Sequence, residues 1–268
     1  MRLFLGCLLF LAAGVAPAAT LVVDTGDGAR KLTTEALLAR PDVRDIQVRG
    51  DVSYHHDAHY RAIPLKALLD GVPADAHLQF VALDGFTAEV PASLVLDGHG
   101  AEAWLAIEPE GAPWPALGTG KPSAGPFYLV WLHPDAGHVG PEQWPYQVAS
   151  IRVLASPAAR FPAMQPAASL PANAPARHGF ALFQRNCISC HTLNGQGDAK
   201  LGPDLNIPHN PTEYLRDAMF RTLVRNPQDL RHWPQAKMPG FDSKVLSDAD
   251  LDDLVAYLKH MAGRKASH

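Results

Sequence analysis

Between positions 7 and 187 the chain has no cysteine at all. That gap removes disulfides and thiolate metal centres from most of the sequence. Charge is sparse as well: 23 Lys+Arg against 27 Asp+Glu in 268 residues leave a net −4, which argues against a nucleic-acid partner. No glycine-rich phosphate loop and no alternating βαβ rhythm is present. What remains is a chain of 47% hydrophobic residues, long enough for two packed units.

The start, "MRLFLGCLLFLAAGVAPAA", sets one arginine before an uncharged apolar run that ends in small residues, with Ala16 and Ala18 forming an A-x-A cleavage site. The run is short for a membrane span, and "FLGC" around Cys7 is a poor lipidation signal. The pattern predicts a signal peptide over 1–19 and a periplasmic, exported mature chain, soluble once cleaved; it argues against a membrane anchor.

Two cysteines then remain, Cys187 and Cys190, in "CISCHTLNGQG". Alone, a C-x-x-C pair in an oxidising compartment reads as a disulfide, a redox dithiol or half a zinc site. His191, directly after the second cysteine, separates these readings. C-x-x-C-H is the attachment sequence for c-type haem: thiols about one helical turn apart can each form a thioether to a vinyl group, and the next residue aims its imidazole at the iron. Zinc would require two more soft ligands, and a redox dithiol has no need of the histidine.

A sixth ligand is expected downstream. Met238, in "RHWPQAKMPGFDS", is followed by Pro239 and Gly240, breakers that force an irregular loop. Met219 and Met261 fall inside helical patterns and read as packing residues, whereas His209 and His232 are rival ligands. Helix signals surround the motif: Phe180 and Phe183 ahead of it, Asn210-Pro211 with Glu213 as a capping box, and Ser247 with Asp250 opening a helix whose Leu251, Leu254, Val255 and Leu258 share a face. The aspartates at 248, 250, 252 and 253 suit that helix's positive end.

These residues, with the Gly202-Pro203 pair in "LGPDL" and Tyr257, make 177–268 resemble the class I cytochrome c family. The resemblance implies an all-α fold, one covalent haem c on Cys187 and Cys190, and His191 and Met238 on the iron. It further implies the Pro203 carbonyl on Nδ1 of His191, and Phe180 or Phe183 against Tyr257.

Upstream, residues 156–176 carry prolines at 157, 162, 166, 171 and 175 among alanines, which reads as a linker of extended, semi-rigid character, either swinging or pinned to the surface. Over 20–155, "LVV", "DIQVRGDV", "LQFVALDGFTAEV", "AWLAI", "PFYLVWL" and "VASIRVL" read as strands, with a turn at Asp84-Gly85. "TTEALLAR" and "PLKALLDG" read as short helices, giving an α+β unit.

The order of these segments is similar to the molybdopterin-binding domain of the sulfite oxidase family, whose metal is held by a cysteine thiolate just before the "PLKALL" helix. Here that segment reads "RGDVSYHHDAHYRAIP", without cysteine, and Tyr128 stands where many relatives carry arginine. The resemblance therefore implies a kept fold with lost chemistry, and no molybdopterin.

His55, His56 and His59, with Asp57 beside them, could instead offer ligands to copper or zinc, although the sequence favours a polar surface loop with the histidines unliganded; His133 and His138 read as loop residues. Charge divides unevenly. Residues 20–156 hold 9 Lys+Arg against 17 Asp+Glu, whereas 177–268 hold 12 against 10, with Arg216, Arg221, Arg225, Arg231 and Lys237 between the haem motif and Met238. A basic rim would steer an acidic redox partner or dock on the chain's own acidic half. The sequence thus predicts a monohaem electron carrier with a docking or binding domain. Alternatives are a haem-linked oxidoreductase whose N-terminal domain binds a cofactor and oxidises a small molecule, and a metal-binding or sensing module built on the histidines.

Overall fold

Alternating apolar residues build two stacked sheets in the first half of the chain. A computed structural model describes residues 18–233 and 235–266. The signal sequence expected over 1–19 lies almost wholly outside them. The strands are β1 Thr20–Asp24, β2 Ala29–Thr33, β3 Arg44–Val48, β4 Ala58–Pro64, β5 His77–Ala82, β6 Thr87–Pro91, β7 Glu102–Ile107, β8 Phe127–Leu132 and β9 Val148–Leu154. They form a five-stranded sheet ordered β2-β1-β9-β5-β6 and a four-stranded sheet ordered β3-β4-β7-β8. Among the described residues only the β1–β9 pair is parallel. Leu21, Val23, Leu78, Phe80, Leu105, Leu129 and Ile151 are fully buried in a first core.

Two strands escape pattern reading for physical reasons. β2 is an edge strand with mostly exposed residues, so its side chains carry no apolar alternation. β4 ends at Pro64 and turns His59 and Arg61 to solvent, which hides its buried Tyr60, Ala62 and Ile63 among polar neighbours. The predicted "PLKALLDG" helix is only a 3-10 turn, Leu65–Leu68; a true helix, α2 Ala92–Leu96, follows β6 instead, and α1 Thr34–Leu38 starts where Thr33 caps it.

The second half is helical, with a core of its own. After α3 Pro157–Arg160 come α4 Pro175–Asn186, α5 Pro211–Tyr214, α6 Asp217–Arg225, α7 Pro227–Leu230 and α8 Asp248–Ala262. The predicted capping boxes at Asn210 and Ser247 are both made. α4 crosses α8 at Gly179, where a Cβ would fall 2.0 Å from the Asp253 carbonyl oxygen. Tyr257 sits beneath this crossing, 5.4 Å from the Phe180 ring and 5.5 Å from that of Phe183. Met261 is buried as expected. Met219 is not a packing residue: it is 43% exposed, because the helical pattern around it breaks at Leu215 and Arg216, which are extended.

Residues 156–176 are neither extended nor free. They hold α3 and a 3-10 turn at Pro162–Met164, and Met164 is fully buried in the second core, its carbonyl accepting from Tyr257 Oη at 2.6 Å. Arg177 gathers the carbonyls of Ala167, Ala168, Leu170 and Pro171. This segment is a pinned strap.

Candidate functional site

The C-terminal end of α4 delivers Cys187, and a tight turn carries the chain to Cys190 and His191, whose amide N–H groups both donate to the Cys187 carbonyl. The two thiols are not bridged. Burial pushes Cys190 up to about 11 and Cys187 higher still, with the Glu142 carboxyl adding to both. A redox dithiol works with a depressed value, so these cysteines lack the environment of thiolate nucleophiles.

His191 is held from behind. Its Nδ1 donates to the Pro203 carbonyl at 2.8 Å, which leaves Nε2 as the lone-pair nitrogen. Burial lowers its proton affinity, favouring the neutral, ligand-competent ring. Gly202 makes this seat possible, since a Cβ there would fall 2.5 Å from His191 Cε1. Asp204 fixes the same loop. Burial raises its carboxyl, but amide donors from Gly195, Ile207 and Asn206 and the Thr192 hydroxyl outweigh that and hold it low. A buried amide ladder, Asn194–Asn206–Asn210, ties the loop to the carbonyls of Leu258 and Met261 on α8.

Met238 is half-buried against the second core. Its loop is strapped to α6: the Phe241 amide donates to Val224, Arg225 donates to the carbonyls of Phe241 and Leu246, and a Cβ on Gly240 would meet the Arg225 carbonyl at 2.4 Å. The rival ligands His209 and His232 are both exposed.

A cavity of about 620 Å³ opens beside Cys190 and Ser189, bounded on the helical side by Asp198, Lys200, Leu201, Lys237 and Pro239. The donor set, the two unbridged thiols and the glycine cradle behind His191 fit a covalently held haem; the cavity reaches Cys190 and Pro239, the chain neighbours of His191 and Met238, but neither of those two side chains lines it. The opposite wall comes from the sheet half: the β5–β6 turn with Phe86, then Glu142, Trp144, Pro145 and Tyr146. None of these residues was legible as part of the site, because nothing local in a strand turn records what docks on it.

The seam between the halves is polar and specific. Ser189, inside the C-x-x-C motif, accepts from the Glu89 amide of edge strand β6 at 3.0 Å. Arg160 bridges Glu89 at 2.8 Å and Asp198 at 2.7 Å, and Gln79 donates to the same two carboxylates. Lys244 pairs with Asp135, and Arg185 donates to the carbonyls of Gly137 and His138.

Other predicted site residues do not converge. His55, His56 and His59 are exposed, the first in a left-handed turn and the last on β4, and no group of three or more His, Cys, Asp or Glu able to hold a metal occurs among the described residues. His133 and His138 are exposed loop residues in left-handed conformations. Two arginines of the expected basic rim are engaged elsewhere, Arg221 with Asp217 and Asp252, and Arg225 with Asp248. Lys200 and Lys237 are the cations at the cavity.

Comparison with known proteins agrees with this geometry. The cytochrome c family model matches residues 176–262. Cytochrome c2 of Agrobacterium tumefaciens (strain II Chrys) is 31% identical over 103 residues, 32% of this chain and 92% of that protein. The cytochrome bc1 complex cytochrome c subunit of Corynebacterium diphtheriae is 33% identical over 85 residues, 30% of this chain, which spans only a quarter of that relative's length. With nearly the whole of a cytochrome c2 matched by its helical half, the chain belongs to the cytochrome c family, whose members carry haem c.

Proposed function

We propose that the protein is an exported, monohaem electron carrier in which Cys187 and Cys190 form the thioethers and His191 and Met238 are the axial ligands. The observation that carries this reading is the Pro203–His191 hydrogen bond behind a C-x-x-C-H turn, with an open cavity beside Cys190. Bound haem supplies reversible one-electron chemistry at iron. The chain's own residues do the rest. Pro203 fixes the imidazole tautomer, the strap on α6 holds the Met238 loop, and the sheet half walls one side of the cavity beside Cys190.

The sheet half fits a docking role better than a molybdenum site. The segment where the sulfite oxidase family places its cysteine is tied to the position where it often has arginine: Asp51, fully buried, accepts from Tyr60 at 2.9 Å and from Tyr128 at 3.2 Å. Trp114 and Trp144 pack on these tyrosines. The polar groups are paired with each other, and the sheet half gives the haem cleft its second wall. Lys200 and Lys237 at the mouth suit an acidic redox partner.

Mass spectrometry of the matured chain tests the attachment: one added haem per chain is expected, and unmodified thiols overturn the reading. Metal analysis should find about one iron per chain and no stoichiometric molybdenum. Met238→Ala should abolish the long-wavelength absorption band of a Met-ligated ferric haem and lower the reduction potential; survival of the band excludes Met238.

A further inference from the structure

Among the described residues, one acidic side chain at the seam lacks a hydrogen-bond partner. Glu142 follows Pro141 in a 3-10 turn, Pro141–Gln143, and lines the cavity together with Cys190. Its carboxyl oxygens are buried and, among the described residues, neither makes a hydrogen bond. The carboxyl folds back over Gly140, where a Cβ would lie 2.4 Å from Oε1, so the absence of a side chain at that position is what gives the acid its place.

The charged groups around it do not neutralise it. Arg185 of α4 is the facing cation, but its guanidinium is spent on the Gly137 and His138 carbonyls and its Nε is unpartnered. Asp250 of α8 in turn acts on Arg185. From the haem motif come Cys187 and Cys190, uncharged once alkylated, preceded by Asn186, whose buried amide is also unpartnered. Asp84, Asp198, Lys200 and Lys237 stand around the rest of the cavity. Burial pushes the Glu142 carboxyl up to about 8, with its own backbone amide and Arg185 opposing only in part. A buried carboxyl without donors prefers its neutral form and responds to any change of charge nearby.

We propose that Glu142 is a redox-linked proton site, supplied to the haem cleft by the sheet half of the chain. The inference rests on the haem reading above. One electron from the redox partner reduces ferric to ferrous iron, and one proton from solvent binds a carboxylate oxygen of Glu142; oxidation returns both, so the net charge of the cleft is unchanged. At the effective dielectric of a protein interior, a unit change of charge across one cavity shifts proton affinity on the order of tenfold. The carboxyl is therefore weaker as an acid when the iron is ferrous. The potential should fall as pH rises between the two affinities, a window near 8.

The test uses the full-length holoprotein. Potentiometry against pH should show that fall, and the reduced-minus-oxidised infrared difference spectrum should show a protonated carboxyl band appearing on reduction. Glu142→Gln should flatten the slope in this window and remove the band while keeping the haem absorption spectrum. Glu142→Asp should keep a slope with a displaced midpoint. Wild-type protein that carries haem yet takes up no proton on reduction overturns the inference, as does a Glu142→Gln variant that keeps the full slope. Protein with no covalent haem overturns the parent reading instead.

Discussion

Gly202 shows how narrowly His191 is seated. A methyl group there would fall 2.5 Å from the ring carbon Cε1 and 2.6 Å from Nδ1, closer than any relaxed contact allows. Gly202→Ala must therefore push the imidazole away from the Pro203 carbonyl. The expected outcome is a loss of about 1–3 kcal/mol of stability from overpacking, together with a changed potential because the hydrogen bond behind the ligand lengthens. Thermal unfolding and potentiometry of the purified variant check this; an unchanged potential would show that the carbonyl does not tune the ligand. At this scale the C-x-x-C-H motif, the Met238 loop and Pro203 stand out in the sequence because they lie in short local patterns. Ser189 and Glu142 were not: each matters through a contact with a residue far along the chain, Glu89 in the first case and the cleft beside Cys190 in the second.

Among the elements, the α4–α8 crossing has the least slack. Gly179 is normally a poor helix residue, and replacing it with alanine should gain about 1 kcal/mol of helix propensity. Here the added Cβ meets a backbone carbonyl at 2.0 Å and Tyr257 Cβ at 2.7 Å, neither of which can swing aside. Overpacking should win, and Gly179→Ala is expected to lose about 2 kcal/mol net, read as a lower denaturant midpoint with an unchanged slope. Two of the helices were legible from their caps. Asn210 with Pro211 and Glu213, and Ser247 with Asp250, satisfy their own amide groups locally, so sequence and structure agree on where α5 and α8 begin. Strands β2 and β4 were missed because one is an exposed edge and the other carries polar residues on its outward face.

At the scale of the whole molecule, Arg160 is one of the links that couple the two cores, and the one that ties a buried carboxylate. It rises from the proline-rich segment to join Glu89 of the sheet and Asp198 of the haem loop, and Glu89 is only 2% exposed. Arg160→Ala leaves that carboxylate buried with Gln79 as its remaining hydrogen-bond donor, a loss of about 3 kcal/mol. Calorimetry should then resolve two unfolding transitions where the parent chain shows one. Composition suggested a tether because alanine and proline carry no periodicity; what pins the segment is Met164 in the second core and Arg160 in the seam, single residues that no repeat announces.

Strand β6 is the open margin of its sheet, and the serine between the two haem-binding cysteines occupies its amide at Glu89. An exposed strand margin invites pairing with other chains. Unfolding of the C-x-x-C turn would bare that amide, so the folded turn is what keeps the margin of β6 from pairing with another chain.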